Sequence, residues 1–129
     1  MNLDKFFNPK TVALVGASEN IVSWGFIVLH NILVNNYDGT IYPINPKSTE
    51  IMGKKVYPSV LDIPQKEQID LVVIIIRSDL VMKILEQCVE RKVHHVVVIS
   101  AGFRESGPDG AVLEDKLVEY AQKNYSEYP

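Results

Sequence analysis

The sequence contains a single cysteine, Cys88, among 129 residues. That excludes an internal disulfide and leaves no thiolate cluster for a metal, and it fits a reducing compartment. No apolar run is long enough to cross a bilayer: residues 71–76 (LVVIII) form the longest stretch, far short of the roughly 20 residues a spanning helix needs. Asp4 and Lys5 stand where a secretory signal would carry its apolar core; a cytoplasmic location is the default expectation. An excess of one charge is missing too. Residues 1–64 hold five Lys and five Asp or Glu, and residues 65–129 hold eight Lys or Arg and eleven acids, for a net charge of −3. Without a basic stripe and interleaved aromatics there is no nucleic-acid surface, so any bound anion must be held locally.

Chemistry-bearing clusters are equally scarce. The histidines are His30, mid-helix, and His94 with His95, leading into a strand; with no second cysteine and no convergent acids they make no zinc set. Cys88 falls on an apolar helix face, as an inert buried thiol does. There is no Ser-His-acid spacing and no carboxylate pair with an evident role, so no catalytic residue is assigned.

What is present is an alternation of strands and helices. Residues 11–17 (TVALVGA) read as a buried strand entering a tight turn, and residues 24–36 as a helix stopped by Asn35-Asn36-Tyr37-Asp38-Gly39. Residues 40–45 (TIYPIN) resume a strand, which Pro43 assigns to an edge or a bulge. Lys55-Val56-Tyr57 suggests a short strand, and residues 59–63 one helical turn. Residues 71–76 lack any alternation and read as a central parallel strand covered on both faces. The following helix, capped by Ser78 or Asp79, carries the apolar stripe Leu80, Val81, Ile84, Leu85, Cys88 and Val89. Residues 95–100 (HVVVIS) read as another buried strand, and residues 110–124 as a last helix. The order β-α-β-α with continuous apolar strands predicts one α/β domain over residues 1–129: Rossmann-like, three-layered, with a mainly parallel sheet and helices on both faces. Its ligand site is expected outside the carboxyl ends of the strands.

Four loops reach that edge. The first includes Gly16, Ala17, Ser18, Glu19, Asn20, Ser23 and Gly25. Its glycine turn and the helix start behind it suit a phosphate, with Ser18 and Ser23 as further donors, or else Ser23 is simply a helix cap. The pattern is not the G-x-G-x-x-G of NAD enzymes, because Ser18 and Ile21 replace the second and third glycines. The second loop reads Asn45-Pro46-Lys47, with a cation where NAD enzymes place an acid for the ribose hydroxyls. Lys47 therefore suits a ligand phosphorylated near its ribose, as both CoA and NADP are, or else is an ordinary surface lysine after a turn. The third loop brings Ile76 and Arg77, the latter directed either into the crevice or into solvent. The fourth brings Ser100, Ala101 and Gly102, then Phe103, read as core, and Glu105, the one acid expected nearby.

The runs Phe6-Phe7-Asn8-Pro9-Lys10-Thr11-Val12-Ala13-Leu14-Val15-Gly16-Ala17-Ser18, Tyr42-Pro43-Ile44-Asn45-Pro46-Lys47, Tyr57-Pro58-Ser59 and Val98-Ile99-Ser100-Ala101-Gly102-Phe103 resemble the CoA-binding domain of NDP-forming (ADP-forming) acyl-CoA and acetyl-CoA synthetases. The N-terminal domain of the succinyl-CoA synthetase α-subunit is similar. The resemblance implies coenzyme A or acyl-CoA as ligand. Gly16 to Asn20 and Ser23 to Gly25 would hold its phosphates, Lys47 its nucleotide, and Ile99 to Gly102 its pantetheine arm. It implies as partners a phosphohistidine-bearing domain and an ATP-grasp unit, neither of which fits in 129 residues, so this chain alone is expected to bind and not to turn over. Two departures bear on the ligand: Ile21-Val22 replaces the family's Pro-Gly, and Ile76-Arg77 its Val-Pro. The chain is also expected to stop before the family's next strand. An NADP-binding oxidoreductase fragment and a ligand-free subunit-contact domain remain as alternatives.

Overall fold

The computed structural model describes residues 3–125. Residues 126–129, where the sequence suggests the approach to a further strand, lie outside them. A one-turn helix α1 (Asp4–Phe7) leads into β1 (Thr11–Val15), α2 (Trp24–Val34) and β2 (Thr40–Ile44). A small hairpin of β3 (Glu50–Ile51) and β4 (Lys54–Lys55) follows, then a 3-10 turn at Val60–Asp62. The second half holds β5 (Leu71–Ile74), α3 (Ser78–Glu90), β6 (Val96–Val98), a 3-10 turn at Arg104–Ser106 and α4 (Pro108–Tyr125).

The main sheet has the order β2-β1-β5-β6, and every pairing in it is parallel. The chain adds β2 on one side of β1, then crosses back and adds β5 and β6 on the other. Strand order therefore reverses between β1 and β5, where loops leave in opposite directions and open a crevice. Helices cover both faces. Val12, Leu14 and Ile41 pack with Leu29 of α2 on one face. On the other, Ala13, Val15, Val72 and Ile74 meet Val81 and Cys88 of α3, with Leu113 and Leu117 of α4 against them. The α/β Rossmann-like architecture read from the sequence is the one observed.

Local departures have physical causes. β2 is an edge strand, as Pro43 requires, and Tyr57 partly covers that edge by donating its amide to the Pro43 carbonyl at 3.1 Å. The hairpin β3–β4 escapes sequence reading because two-residue strands carry no period; the expected strand at 55–57 is its second arm plus a bridge from Tyr57 to Ile44. β5 is central but not equally covered, with Val72 and Ile74 buried and Leu71 and Val73 only half-buried. β6 is not the buried strand its apolar run suggests. It is the far edge of the sheet, and Val98 is exposed. Helix α3 is capped by neither Ser78 nor Asp79: the N-cap is Arg77, with no side-chain bond, and both expected caps lie in the first turn. Leu80, placed in the apolar stripe, faces solvent. Phe103 does join the core.

One arginine fixes the connection into β5. Arg91 donates to the carbonyls of Val60 at 2.9 Å, Ile63 at 2.8 Å, Pro64 at 3.3 Å and Glu67 at 3.1 Å. A segment without regular structure thereby gains partners for its backbone acceptors.

Candidate functional site

The crevice starts at Gly16, where β1 ends. Its amide donates to the Ile44 carbonyl at 3.1 Å, extending the β1–β2 ladder by one bond, and the chain then turns with φ at +99°. A Cβ there would collide with the Ile75 carbonyl, so the first loop can lie directly on the exit of β5 only because residue 16 is glycine. Gly25 repeats the device one level higher, since its Cβ would collide with the Gly16 carbonyl. The start of α2 is thus pressed onto the end of β1.

Short polar bonds hold the loop between these glycines. Ser18 Oγ accepts from the Asn20 amide at 3.0 Å, and Asn20 Oδ1 from the Val22 amide at 3.2 Å. Ser23 is the N-cap of α2: its Oγ accepts from the Phe26 amide at 3.2 Å and donates to the Asn20 carbonyl at 2.8 Å. The helix-cap reading of Ser23 is therefore correct, and its hydroxyl proton is engaged within the loop. The amides of Trp24 and Gly25 have no helical carbonyl ahead of them and sit at the positive end of the helix dipole. Ala17 is buried, whereas Glu19 and Asn20 are exposed on the outer side of the loop.

Asn45 connects this loop to the exit of β2. Its Nδ2 donates to the Ala17 carbonyl at 2.8 Å, while its Oδ1 accepts from the amides of Lys47 at 2.8 Å and Ser48 at 3.2 Å. Lys47 is exposed. At the other wall, Ser100 Oγ accepts from the Ile76 amide at 3.1 Å, joining the exits of β5 and β6. Arg77 points to solvent and forms a two-pronged pair with Asp79, at 3.1 Å from Nε and 2.6 Å from the second nitrogen. This pairing holds the Asp79 carboxyl below its usual range and raises Arg77 further. Beyond it, Glu105 accepts from the amides of Gly102 at 2.6 Å and Phe103 at 3.1 Å. These bonds, the one from Gly102 foremost, keep its carboxyl below the ordinary value.

The cleft between these walls measures about 430 Å³ and collects Gly16, Ser23 and Gly25 with Ile76, Arg77 and Ile99 to Ala101. Val22, Trp24 and Ile75 line it as well; of these, Val22 figures in the sequence only as part of the Ile21-Val22 departure, and Ile75 only within the apolar run of the central strand. Asn45, Lys47 and Gly102 border the crevice without lining this part of it. The only formal charge in the lining is Arg77. A helix start with no acid in the lining suits an anionic ligand with apolar parts, while Arg77 rests paired with Asp79. A larger groove of about 520 Å³ lies along the free edge of β6, walled by Phe6, Leu85, Val96 and Leu117 among others. It is mainly apolar, has His94 and His95 in its lining, and shares no residue with the cleft at the strand exits. Among the described residues no three His, Cys, Asp or Glu converge as metal ligands, and no helix is long and apolar enough to cross a membrane.

A parallel α/β sheet with a glycine turn and a helix start at its strand-order reversal defines the class of Rossmann-like nucleotide-binding domains. Within that class the chain belongs to the CoA-binding domain family, whose model matches residues 10–128. It is 45% identical over 121 residues to the ADP-forming acetate–CoA ligase I of Archaeoglobus fulgidus, covering 94% of this chain and 17% of the ligase. It is 42% identical over 127 residues to the α-subunit of the ADP-forming acetate–CoA ligase I of Pyrococcus furiosus, covering 95% of this chain and 27% of that subunit. In three dimensions it matches the dinucleotide-forming acetyl-coenzyme A synthetase 1 of Ca. Korarchaeum cryptofilum with a TM-score of 0.88 at 39% identity, over 96% of this chain and 26% of the synthetase. The chain thus spans about a quarter or less of the length of these relatives.

Proposed function

We propose that this chain binds coenzyme A or an acyl-CoA as the nucleotide-binding module of an ADP-forming acyl-CoA synthetase. The observation that carries the reading is the placement of Lys47 at the exit of β2, held through Asn45 to the loop that presents the α2 amides. One cation beside one helix start matches the two anionic centres of the CoA nucleotide, its ribose phosphate and its pyrophosphate. The donor set fits CoA: the amides of Trp24 and Gly25 take the pyrophosphate, Lys47 the ribose phosphate, and Ile99 to Gly102 border the pantetheine arm. The remaining loop residues, from Ala17 to Asn20, shape this cradle. Bound CoA supplies a thiol, and the residues here orient it. Arg77 is free to leave Asp79 for a ligand phosphate, since both partners are exposed and such pairs are weak.

Acyl activation lies outside this module. The phosphohistidine-bearing domain and the ATP-grasp unit of a longer ligase are its partners, and residues 1–129 act as one domain within that assembly.

Calorimetry with CoA, dephospho-CoA, NADPH and ADP tests the reading. CoA binds tightest, and Lys47→Ala weakens it by about tenfold, equivalent to roughly 1.4 kcal/mol, while leaving dephospho-CoA unchanged. Failure of the wild type to bind CoA at millimolar concentration overturns the proposal. Equal affinity for NADPH and CoA reduces the crevice to a generic phosphate site.

A further inference from the structure

Arg77 occupies an electrostatically unfavourable place. It is the N-cap of α3, with no side-chain bond to the helix amides, so a guanidinium stands at the positive end of a helix dipole. It also shares its cleft with the start of α2, a second positive end. Asp79, in the first turn of α3, answers this charge with bonds of 3.1 and 2.6 Å to the same guanidinium. Residues two apart within a helix do not face each other. The pair forms because Arg77 lies outside the helix with ψ at 142°, which lets its side chain fold across the first turn.

We infer that Asp79 is an internal counter-ion for Arg77, and that binding of CoA exchanges this carboxylate for oxygens of the ligand's pyrophosphate. The inference rests on the CoA reading above and adds to it a competitor within the chain. The cation does not come with the family pattern, in which Val-Pro stands at the place of Ile76-Arg77. Its two-pronged contact with Asp79 uses the same fork that binds a pair of phosphate oxygens. Side-chain rotation is enough for the exchange, because Arg77 lines one cleft of about 430 Å³ together with Gly16, Ser23 and Gly25. The Arg77 side chain is 76% exposed and that of Asp79 54%, and an exposed pair outweighs its open form by only about two- to fivefold. Glu105, the other acid on this flank, is engaged by the amides of Gly102 at 2.6 Å and Phe103 at 3.1 Å, so Asp79 is the carboxylate that Arg77 gives up. Apparent affinity falls with the fraction of Arg77 that is free. The pair therefore holds CoA binding below the level that the donors of the crevice alone allow.

Calorimetry on Asp79→Asn, Arg77→Ala and the double variant tests the exchange, with CoA and dephospho-CoA as ligands because both carry the pyrophosphate. Asp79→Asn tightens both by about threefold, and Arg77→Ala weakens both by about threefold. Asp79→Ser, a second way to remove the charge, gives the same gain. In the Arg77→Ala background Asp79→Asn changes neither affinity by more than about 1.5-fold, whereas relief of simple charge repulsion would act with or without Arg77. Unchanged or weakened binding in both Asp79 variants overturns the exchange and leaves the CoA reading standing. So does an equal gain in the presence and absence of Arg77. Failure of the wild type and of Asp79→Asn to bind either ligand at millimolar concentration overturns both.

Discussion

The side-chain amide of Asn45 donates to the carbonyl of Ala17 at 2.8 Å, so one residue after β2 fixes the loop after β1. The same side chain holds the amides of Lys47 and Ser48 through its oxygen. Asn45→Ala removes three bonds from a half-buried corner and is expected to cost about 1–2 kcal/mol in chemical denaturation. Ligand affinity should fall with it although the side chain acts on the loops and not on the ligand; Asn45→Asp, which keeps the acceptor and loses the donor, should fall between alanine and wild type.

Alanine in place of glycine within a helix normally stabilises by about 0.5–1 kcal/mol. At Gly25 the sign is reversed, because the added Cβ would collide with the Gly16 carbonyl and force α2 off the end of β1. Gly25→Ala is expected to destabilise by about 1–3 kcal/mol, the scale of overpacking, measured by urea unfolding.

Cys88 is wholly buried, and desolvation pushes its thiol up to about 12. The native state keeps its proton over a range in which the unfolded chain, with an ordinary thiol near 8.5, has lost it. Stability attributable to this group is therefore full below about pH 8.5 and declines as pH rises toward the folded value. Cys88→Ala should flatten the alkaline limb of a melting-temperature profile. In the wild type, reaction with a disulfide reagent at pH 8 should track global unfolding.

Glu105 titrates in the opposite sense. Its amide partners at Gly102 and Phe103 lower its carboxyl, so the order they confer is present above the ordinary glutamate range, near about 4.3, and is lost as pH falls through the lowered folded value. Amide resonances of Gly102 and Phe103 should shift with a common midpoint below that of a free glutamate. In Glu105→Gln that acid transition should vanish.

The fold was legible where the sequence carries a period or a punctuation mark. Residues 12–15 and 71–74 are apolar without interruption because sheet neighbours and packed helices surround them, and Pro43 marks an edge because it cannot donate. Residues 96–98 misled for the same reason that the others informed: an apolar strand reads alike whether protein or an open groove lies beside it. The hairpin at 50–55 has too few residues for a pattern. At the candidate site, Gly16, Gly25 and Lys47 stand out by residue type and Val22 by the departure at residues 21–22, whereas Ile75 enters through the path of the backbone alone. Arg77 was equally compatible with crevice and solvent, and an exposed carboxylate two residues on in the chain decided its resting position.

The crevice draws its walls from residues 16, 22–25, 75–77 and 99–101, segments brought together only by the finished parallel sheet. An unfolded chain has no partial version of such a site, so a ligand held there counts entirely toward the native state. At a hundred times its dissociation constant it adds about 2.7 kcal/mol to the free energy of unfolding. Where a domain has the usual marginal stability, the concentration of any ligand held in such a crevice then becomes a term in its lifetime.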